Sequence, residues 1–500
     1  MVKQEKLYEK LQALQESDWY PFHMPGHKRN LEKLPKWFPY GMDITEIEGF
    51  DNLHDAEDLL ADCMKEIADF RGADQSFLLV NGSSCGLLAG IASCVWQGDE
   101  ILVARNCHKA VYHSIFANQL QPHYIYPQMI PNWSINCGIS PDEIEKMCIT
   151  YPNIRLLVLT SPTYEGVVSD IKAIVSVAHK YGVIVLVDQA HGAHLEMGSK
   201  NTPSAVSCGA DLVVESVHKT LPSPTQTALL HVQGNLVDRF RLQQWLAIYQ
   251  TSSPSYPLMA GIAWCMDYCK EHRRDFLQYE KNIAEWRKRI EDLRWIRLFD
   301  PLKEPAMTAC AGYDSGKFVL GVRNGILTGV ELYQQLREDY HLQLEMAAAT
   351  YCIAMTSVLD QEEGFARLYQ ALQNIDQHIQ AEWEGKGDEI FRDALPDLYW
   401  VENPTMMSIY QAEQKEGIWC DLKAALGHTA KGYIYLYPPG VPLLTPGEEI
   451  TEALCRQIEE LQKVGLQVKG LKNGKIYIVK ETVITKRRKR KIDERGDSYE

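Results

Sequence analysis

The sequence predicts an α/β protein: a large domain on a mainly parallel sheet, followed by a smaller C-terminal α/β domain. Three observations carry this prediction. Between about residues 75 and 231, short apolar runs of strand length alternate with polar or glycine-containing turns and helical patterns, as expected of strands joined by crossover helices. Beyond residue 231 the pattern changes to long amphipathic helices, with apolar residues at 3.6-type spacing. Near Lys317 strand-like and helical patterns resume.

In chain order, residues 1–22 read as a helical arm, because Leu recurs at helical spacing among Lys, Glu and Gln over the first 19 positions. The large domain with its linker helices is placed at 23–300. Its strands are read at 76–80, 101–103, 156–159, 183–187 and 212–214, and a helix at 85–96. Residues 266–293 carry Lys, Arg and Glu on one face and Ile, Leu, Phe and Trp on the other. The small domain is placed at 301–480, with a strand over 317–322 and a helix over 328–340. Thr328 is the expected N-cap of that helix, three residues before Glu331. Residues 481–500, with six consecutive basic residues at 486–491, read as a solvated, disordered tail.

Composition narrows the function. A chain of 500 residues, 45% hydrophobic and 23% charged, is long enough for more than one core. Its formal charge of −15 repels nucleic acid and anionic lipid, so neither is expected as a partner, and a small-molecule ligand is. Thirteen cysteines without a C-x-x-C pair suit a reducing cytoplasm better than a zinc ribbon or disulfide scaffold. No signal peptide is evident, and no apolar run reaches the roughly 18 residues that cross a bilayer. His191 and His194 lack HExxH spacing or further ligands, so no metal is expected.

The polar groups that look chemical follow the strand runs directly: Gly82-Ser83-Ser84, Asn106-Cys107-His108, Ser161-Pro162-Thr163-Tyr164, Asp188 and Ser216-Val217-His218-Lys219. In an open α/β sheet the ligand crevice lies at the carboxyl ends of the strands, so these groups are expected to converge. Together they match what pyridoxal 5′-phosphate (PLP) requires of a protein. Lys219 would supply the Schiff-base amine. Asp188 would keep the pyridine nitrogen protonated, and Gly82-Ser83-Ser84 at a helix start would cradle the phosphate. Singly, each has a plainer reading: Lys219 as a turn residue, Asp188 as a helix cap, His108 as a satisfied core histidine. The order of the set on successive strand ends is what favours PLP.

These residues, with Pro21-Phe22-His23-Met24-Pro25-Gly26-His27-Lys28, Asp43-Ile44-Thr45-Glu46, Asp51-Asn52-Leu53-His54, Arg105-Asn106-Cys107-His108-Lys109, Asp188-Gln189-Ala190-His191-Gly192-Ala193-His194, Thr251-Ser252-Ser253-Pro254-Ser255-Tyr256 and Tyr437-Pro438-Pro439-Gly440-Val441-Pro442, resemble the Orn/Lys/Arg decarboxylase family. The resemblance runs over nearly the whole chain. It implies the fold of type I PLP-dependent enzymes, in a short form without an amino-terminal wing domain, and at least a homodimer. It implies Lys219 as the Schiff-base lysine, Asp188 as the pyridine partner, His108 stacked on the ring, His191 beside the cofactor, and Ser83, Ser84, Ser216 and His218 at the phosphate. It implies decarboxylation of lysine, ornithine or arginine to the amine and carbon dioxide, with His191 and His108 beside Lys219 as catalytic groups. Gln189 stands where short members often carry Glu, and is expected to bear on substrate choice. Asp43, Glu46, Asp51 and Glu165 are carboxylates that could meet the substrate's distal cation. The residues alone leave open another PLP reaction, such as transamination or side-chain lysis, and a non-catalytic PLP-binding protein.

Overall fold

The computed structural model describes residues 5–130, 133–199, 202–304, 309–383, 400–436 and 440–480. The basic tail at 481–500 and residues 437–439 of the Tyr-Pro-Pro motif lie outside the described residues. By internal contacts the chain divides into two units, Met1–Tyr399 and Trp400–Glu500.

The first unit is built on a seven-stranded sheet. Its strands in chain order are β1 (Gln75–Leu79), β2 (Glu100–Ala104), β3 (Gln121–Ile125), β4 (Ile154–Thr160), β5 (Ile184–Asp188), β6 (Leu212–Glu215) and β7 (Ala228–Val232), and their order across the sheet is β1-β7-β6-β5-β4-β2-β3. Neighbours from β6 to β3 pair in parallel, and β7 runs against both β6 and β1. The mainly parallel sheet expected from the sequence is therefore present. Strands covered on both faces must be apolar throughout rather than alternating, and every residue of β6 is buried. Helix Gly82–Cys94 lies close on this sheet because Gly86 and Gly90 carry no side chain. A Cβ at Gly86 would come 2.6 Å from Leu79 Cδ1, and one at Gly90 2.9 Å from Leu186 Cδ1. The amino-terminal arm forms helix Leu7–Glu16, which buries Leu7, Leu11 and Leu14, one per turn of the spacing read in the sequence.

A second sheet consists of β8 (Ile296–Leu298), β9 (Lys317–Val322), β10 (Met346–Ala347) and β11 (Cys352–Met355), in the order β8-β9-β11-β10 and antiparallel throughout. The sequence reading assigns residues 301–399 to the C-terminal domain, whereas by contacts they group with the first unit. Helix Arg273–Glu291 explains this: its buried Tyr279, Ile283, Trp286 and Ile290 share one core with Phe318, Leu320, Leu336, Phe365 and Leu372. The amphipathic stretch at 266–293 is two helices, Tyr256–Glu271 and Arg273–Glu291, with His272 ending one and starting the next. Thr328 caps helix Gly329–Glu338 in a full capping box with Glu331, as read from the sequence. A short antiparallel pairing of Val167–Val168 with Gly312–Tyr313 ties the loop after β4 to the segment leading into β9. That pairing brings the head of β9 to the strand ends of the large sheet.

The second unit pairs Gly417–Asp421 with Lys475–Val479, and Ile434–Leu436 with Val441–Leu444 and Val468–Lys469. Helix Glu452–Lys463, capped by Thr451, packs Leu454 and Ile458 into a core with Ile434, Leu444, Ile450 and Ile476.

Candidate active site

Sheet register sets the site. Asp188, the last residue of β5, lies opposite Thr160 on one side and Val214 on the other, so the loops after β4 and β6 flank it. Helix Gly82–Cys94 starts directly after β1, three residues earlier than the sequence suggests, so Gly82, Ser83 and Ser84 form its first turn. Gly82 has φ +75, a conformation side chains disfavour, and Asn81 makes no side-chain cap, so that turn's amides are left for another acceptor. Ser216 Oγ donates to Ser83 Oγ at 2.9 Å and joins the end of β6 to this turn. His218 Nδ1 is 2.8 Å from Thr227 O, and since a carbonyl only accepts, Nδ1 carries a proton. His108 caps helix Lys109–Ala117, with Nδ1 accepting from the Ala110 amide at 3.3 Å. Ser84 is exposed, and no hydrogen bond ties it to the group.

Burial dominates the electrostatics. Lys219 lies in the turn Val217–Thr220, where burial lowers its pKa against the attraction of Asp188. Burial raises the pKa of Asp188, and Lys219 opposes that. Asp188 Oδ1 accepts the Ala190 amide at 3.1 Å. Lys219 Nζ is 3.2 Å from His191 Nε2, and the other ring nitrogen, Nδ1, is 3.3 Å from Lys317 Nζ. Burial, then the two lysines, hold His191 well below the ordinary histidine pKa. Burial and Lys219 push His108 down to about 4. Tyr164 packs on His191 with ring centroids 4.6 Å apart, and its hydroxyl donates to Glu345 Oε1.

Of the four carboxylates read as partners for a distal cation, three are engaged in the protein. Asp51 accepts four backbone amides, from Asn52, Glu57, Asp58 and Leu60, and is a turn cap. Asp43 pairs with His27 Nε2 at 3.1 Å. Glu165 is buried and accepts the Tyr351 hydroxyl at 2.7 Å, while burial raises its pKa. Glu46 keeps a buried Oε1 without a hydrogen-bond partner. Gln189 is held by the protein's own groups. Its Nε2 donates to Glu215 Oε1 at 2.6 Å and its Oε1 accepts the Ala205 amide at 2.6 Å, inside a buried network in which Glu215 also meets Arg71 and His231. A second carboxylate at this position would face Glu215 in a low-dielectric interior, so the neutral amide is the residue that fits.

Lys317, Asp314, Glu345 and Tyr351 were not singled out in the sequence. The available signal was a lysine heading the otherwise apolar strand Phe318-Val319-Leu320-Gly321-Val322. Lys317 is 1% exposed, and burial, opposed by Asp314, lowers its pKa to about 8.

This donor set fits PLP: a half-buried amine beside a buried carboxylate, two hydroxyls beside a helix turn without a side-chain cap, and an imidazole next to the amine. A mainly parallel seven-stranded sheet with one reversed strand, carrying that set at its strand ends, defines a PLP-dependent enzyme of fold type I. The fold matches that of Francisella novicida lysine decarboxylase with a TM-score of 0.80, over 95% of this chain and 81% of that one, at 19% identity. Residues 6–325 match the family described as Orn/Lys/Arg decarboxylase, major domain. An arginine decarboxylase of Halalkalibacterium halodurans is 31% identical over 458 residues, covering 90% of this chain and 91% of that one. One from Bacillus subtilis is 27% identical over 467 residues, covering 92% and 94%. The chain belongs to the Orn/Lys/Arg decarboxylase family, and its cofactor is pyridoxal 5′-phosphate. No described helix is long and apolar enough to cross a membrane.

Proposed function

We propose that this enzyme decarboxylates arginine, releasing agmatine and carbon dioxide, with its cofactor held at Lys219. The observation that carries the site is the pair of Lys219, half-buried in the turn after β6, and Asp188, buried at the end of β5. Three relatives that match about nine-tenths of the chain are named arginine decarboxylases, which supports arginine over lysine and ornithine.

PLP, when bound, supplies a protonated pyridine ring that takes up the electron pair of the breaking Cα–carboxylate bond. In this reading Lys219 is the anchoring amine, and burial, by lowering its pKa, favours the neutral nucleophilic form. Asp188 holds the proton on the ring nitrogen. Ser83, Ser216 and the first-turn amides of helix Gly82–Cys94 bind the phosphate, where the helix dipole also favours an anion. His218 and Ser84 border that phosphate site. His108 covers one face of the ring, and its depressed pKa keeps it neutral there. Lys219, oriented by His191, is placed to return a proton to the α-carbon.

A homodimer in the cytoplasm completes the reading. Trp19, Phe22 and Trp37 are 72%, 92% and 78% exposed in a single chain, which supports burial of this segment against a second copy. All thirteen cysteines are free, which suits a reducing compartment.

Incubating the purified holoenzyme with arginine, lysine and ornithine, and measuring carbon dioxide and keto acid, tests the activity. Carbon dioxide from arginine at the highest kcat/KM is expected. Preference for lysine or ornithine would overturn the substrate, and keto acid without carbon dioxide would overturn the reaction.

A further inference from the structure

His191 is held between two lysines. Lys219 Nζ lies 3.2 Å from Nε2 and Lys317 Nζ 3.3 Å from Nδ1. A neutral imidazole has one N–H and one bare nitrogen, while an ammonium can only donate. Both contacts can therefore be hydrogen bonds only if one lysine donates and the other accepts. The surroundings decide which. Lys317 faces Asp314, and also Glu345 and Glu165. Asp314 is ionised: burial alone would raise its pKa, but His194, bonded at 3.2 Å, and Lys317 bring it down to about 2. Lys219 faces Asp188, whose pKa is raised, and shares Glu345 with Lys317, so the ionised Asp314 is what sets the two lysines apart. Lys317 is thus the ammonium and the donor. Nδ1 of His191 is then bare, and its proton sits on Nε2, aimed at the Lys219 nitrogen. His108 and His194 also face the ring as cations when protonated, and both disfavour a second proton on it.

We propose that Lys317 is a positioning residue that fixes His191 as its Nε2–H tautomer, with that proton directed at Lys219. Lys317 is too deeply buried to meet substrate, so it acts through His191 alone. The inference rests on the proposed role of Lys219 as the cofactor anchor. It explains why a lysine heads a strand that is otherwise apolar and why an aspartate three residues earlier accompanies it.

The test uses two uncharged variants, Lys317→Met, which removes the donor, and Lys317→Gln, whose amide can still donate to Nδ1. Cofactor-free protein with 15N-labelled histidine is read by long-range 1H–15N correlation at pH 7, with His191→Gln to assign the ring. Wild type and Lys317→Gln are expected to show one tautomer with a bare Nδ1, and Lys317→Met an exchanging pair. In the holoenzyme, kcat for carbon dioxide release is expected to fall on the order of 10²-fold in Lys317→Met and to stay within about threefold in Lys317→Gln, with KM little changed in both. A protonated or averaged Nδ1 in the wild type overturns the proposal whether or not either variant folds. So does an unchanged tautomer in Lys317→Met, or an equal kcat loss in the two variants. A wild-type enzyme that releases no carbon dioxide from any basic amino acid would overturn the proposed function instead, while the cofactor-free measurement would still decide the role of Lys317.

Discussion

Asp314 and Lys317 are three positions apart, and burial weakens the charge of both; only Asp314 has enough partners to reverse the effect. With its pKa brought from 3.8 to about 2, it contributes stability that is present above pH 4 and is lost as pH falls toward 2. A shift of nearly two units in a buried group corresponds to about 2 kcal/mol. Asp314→Asn is therefore expected to lower the melting temperature near pH 6.5, by roughly 2 kcal/mol in stability. The gap to wild type should narrow between pH 4 and pH 3, as Asp314 of the unfolded chain begins to protonate while that of the folded chain stays ionised; a gap independent of pH would contradict the assignment. At the same scale, Gln189 shows how one residue can look like a site residue and serve the interior. It follows Asp188 directly, yet both ends of its amide are used by Glu215 and the Ala205 amide.

At the scale of elements, the first turn of helix Gly82–Cys94 brings together three features: a glycine at positive φ, amides without a side-chain cap, and a serine bonded to the turn after β6. Gly86 and Gly90 let this helix lie on β5 and β6, the strands that lead to Asp188 and Lys219, so its amino terminus is held over their ends. Ser83→Ala removes one donor to a phosphate while leaving the helix intact. A hydrogen bond to a charged group is worth about 1.5–3 kcal/mol. Cofactor affinity of the cofactor-free enzyme, followed by fluorescence quenching, is expected to drop at least about tenfold. An unchanged affinity would remove Ser83 from the phosphate site.

For the whole molecule, the exposed aromatics of residues 19–38 make a statement about assembly. In the proposed homodimer, this apolar surface would form part of the interface. If the proposed dimer forms through this segment, wild type sediments as a dimer at micromolar concentration and Phe22→Asp with Trp37→Lys as a monomer, read by analytical ultracentrifugation. A variant that sediments like the wild type would place the interface elsewhere.

The sequence by itself determined the parallel sheet, since strands covered on both faces must be continuously apolar, and that pattern is local. It also placed Asp188, Ser216 and Lys219 just beyond strands, because the apolar runs at 183–187 and 212–214 end one, two and five residues before them, and it identified the Thr328 capping box, which lies within four residues. Tertiary structure alone decided the rest. His191 and Lys317 are 126 positions apart, and their contact depends on a second sheet tied to the loop after β4 by the pairing of Val167–Val168 with Gly312–Tyr313. Asp51 looked available for a substrate cation until its four backbone amides were in view. That Phe318, Leu336 and Phe365 share a core with helix Arg273–Glu291 was likewise not legible in the sequence. Periodicity records whether a side chain is buried. Which partner it meets there is set by the packing of segments far apart in the chain.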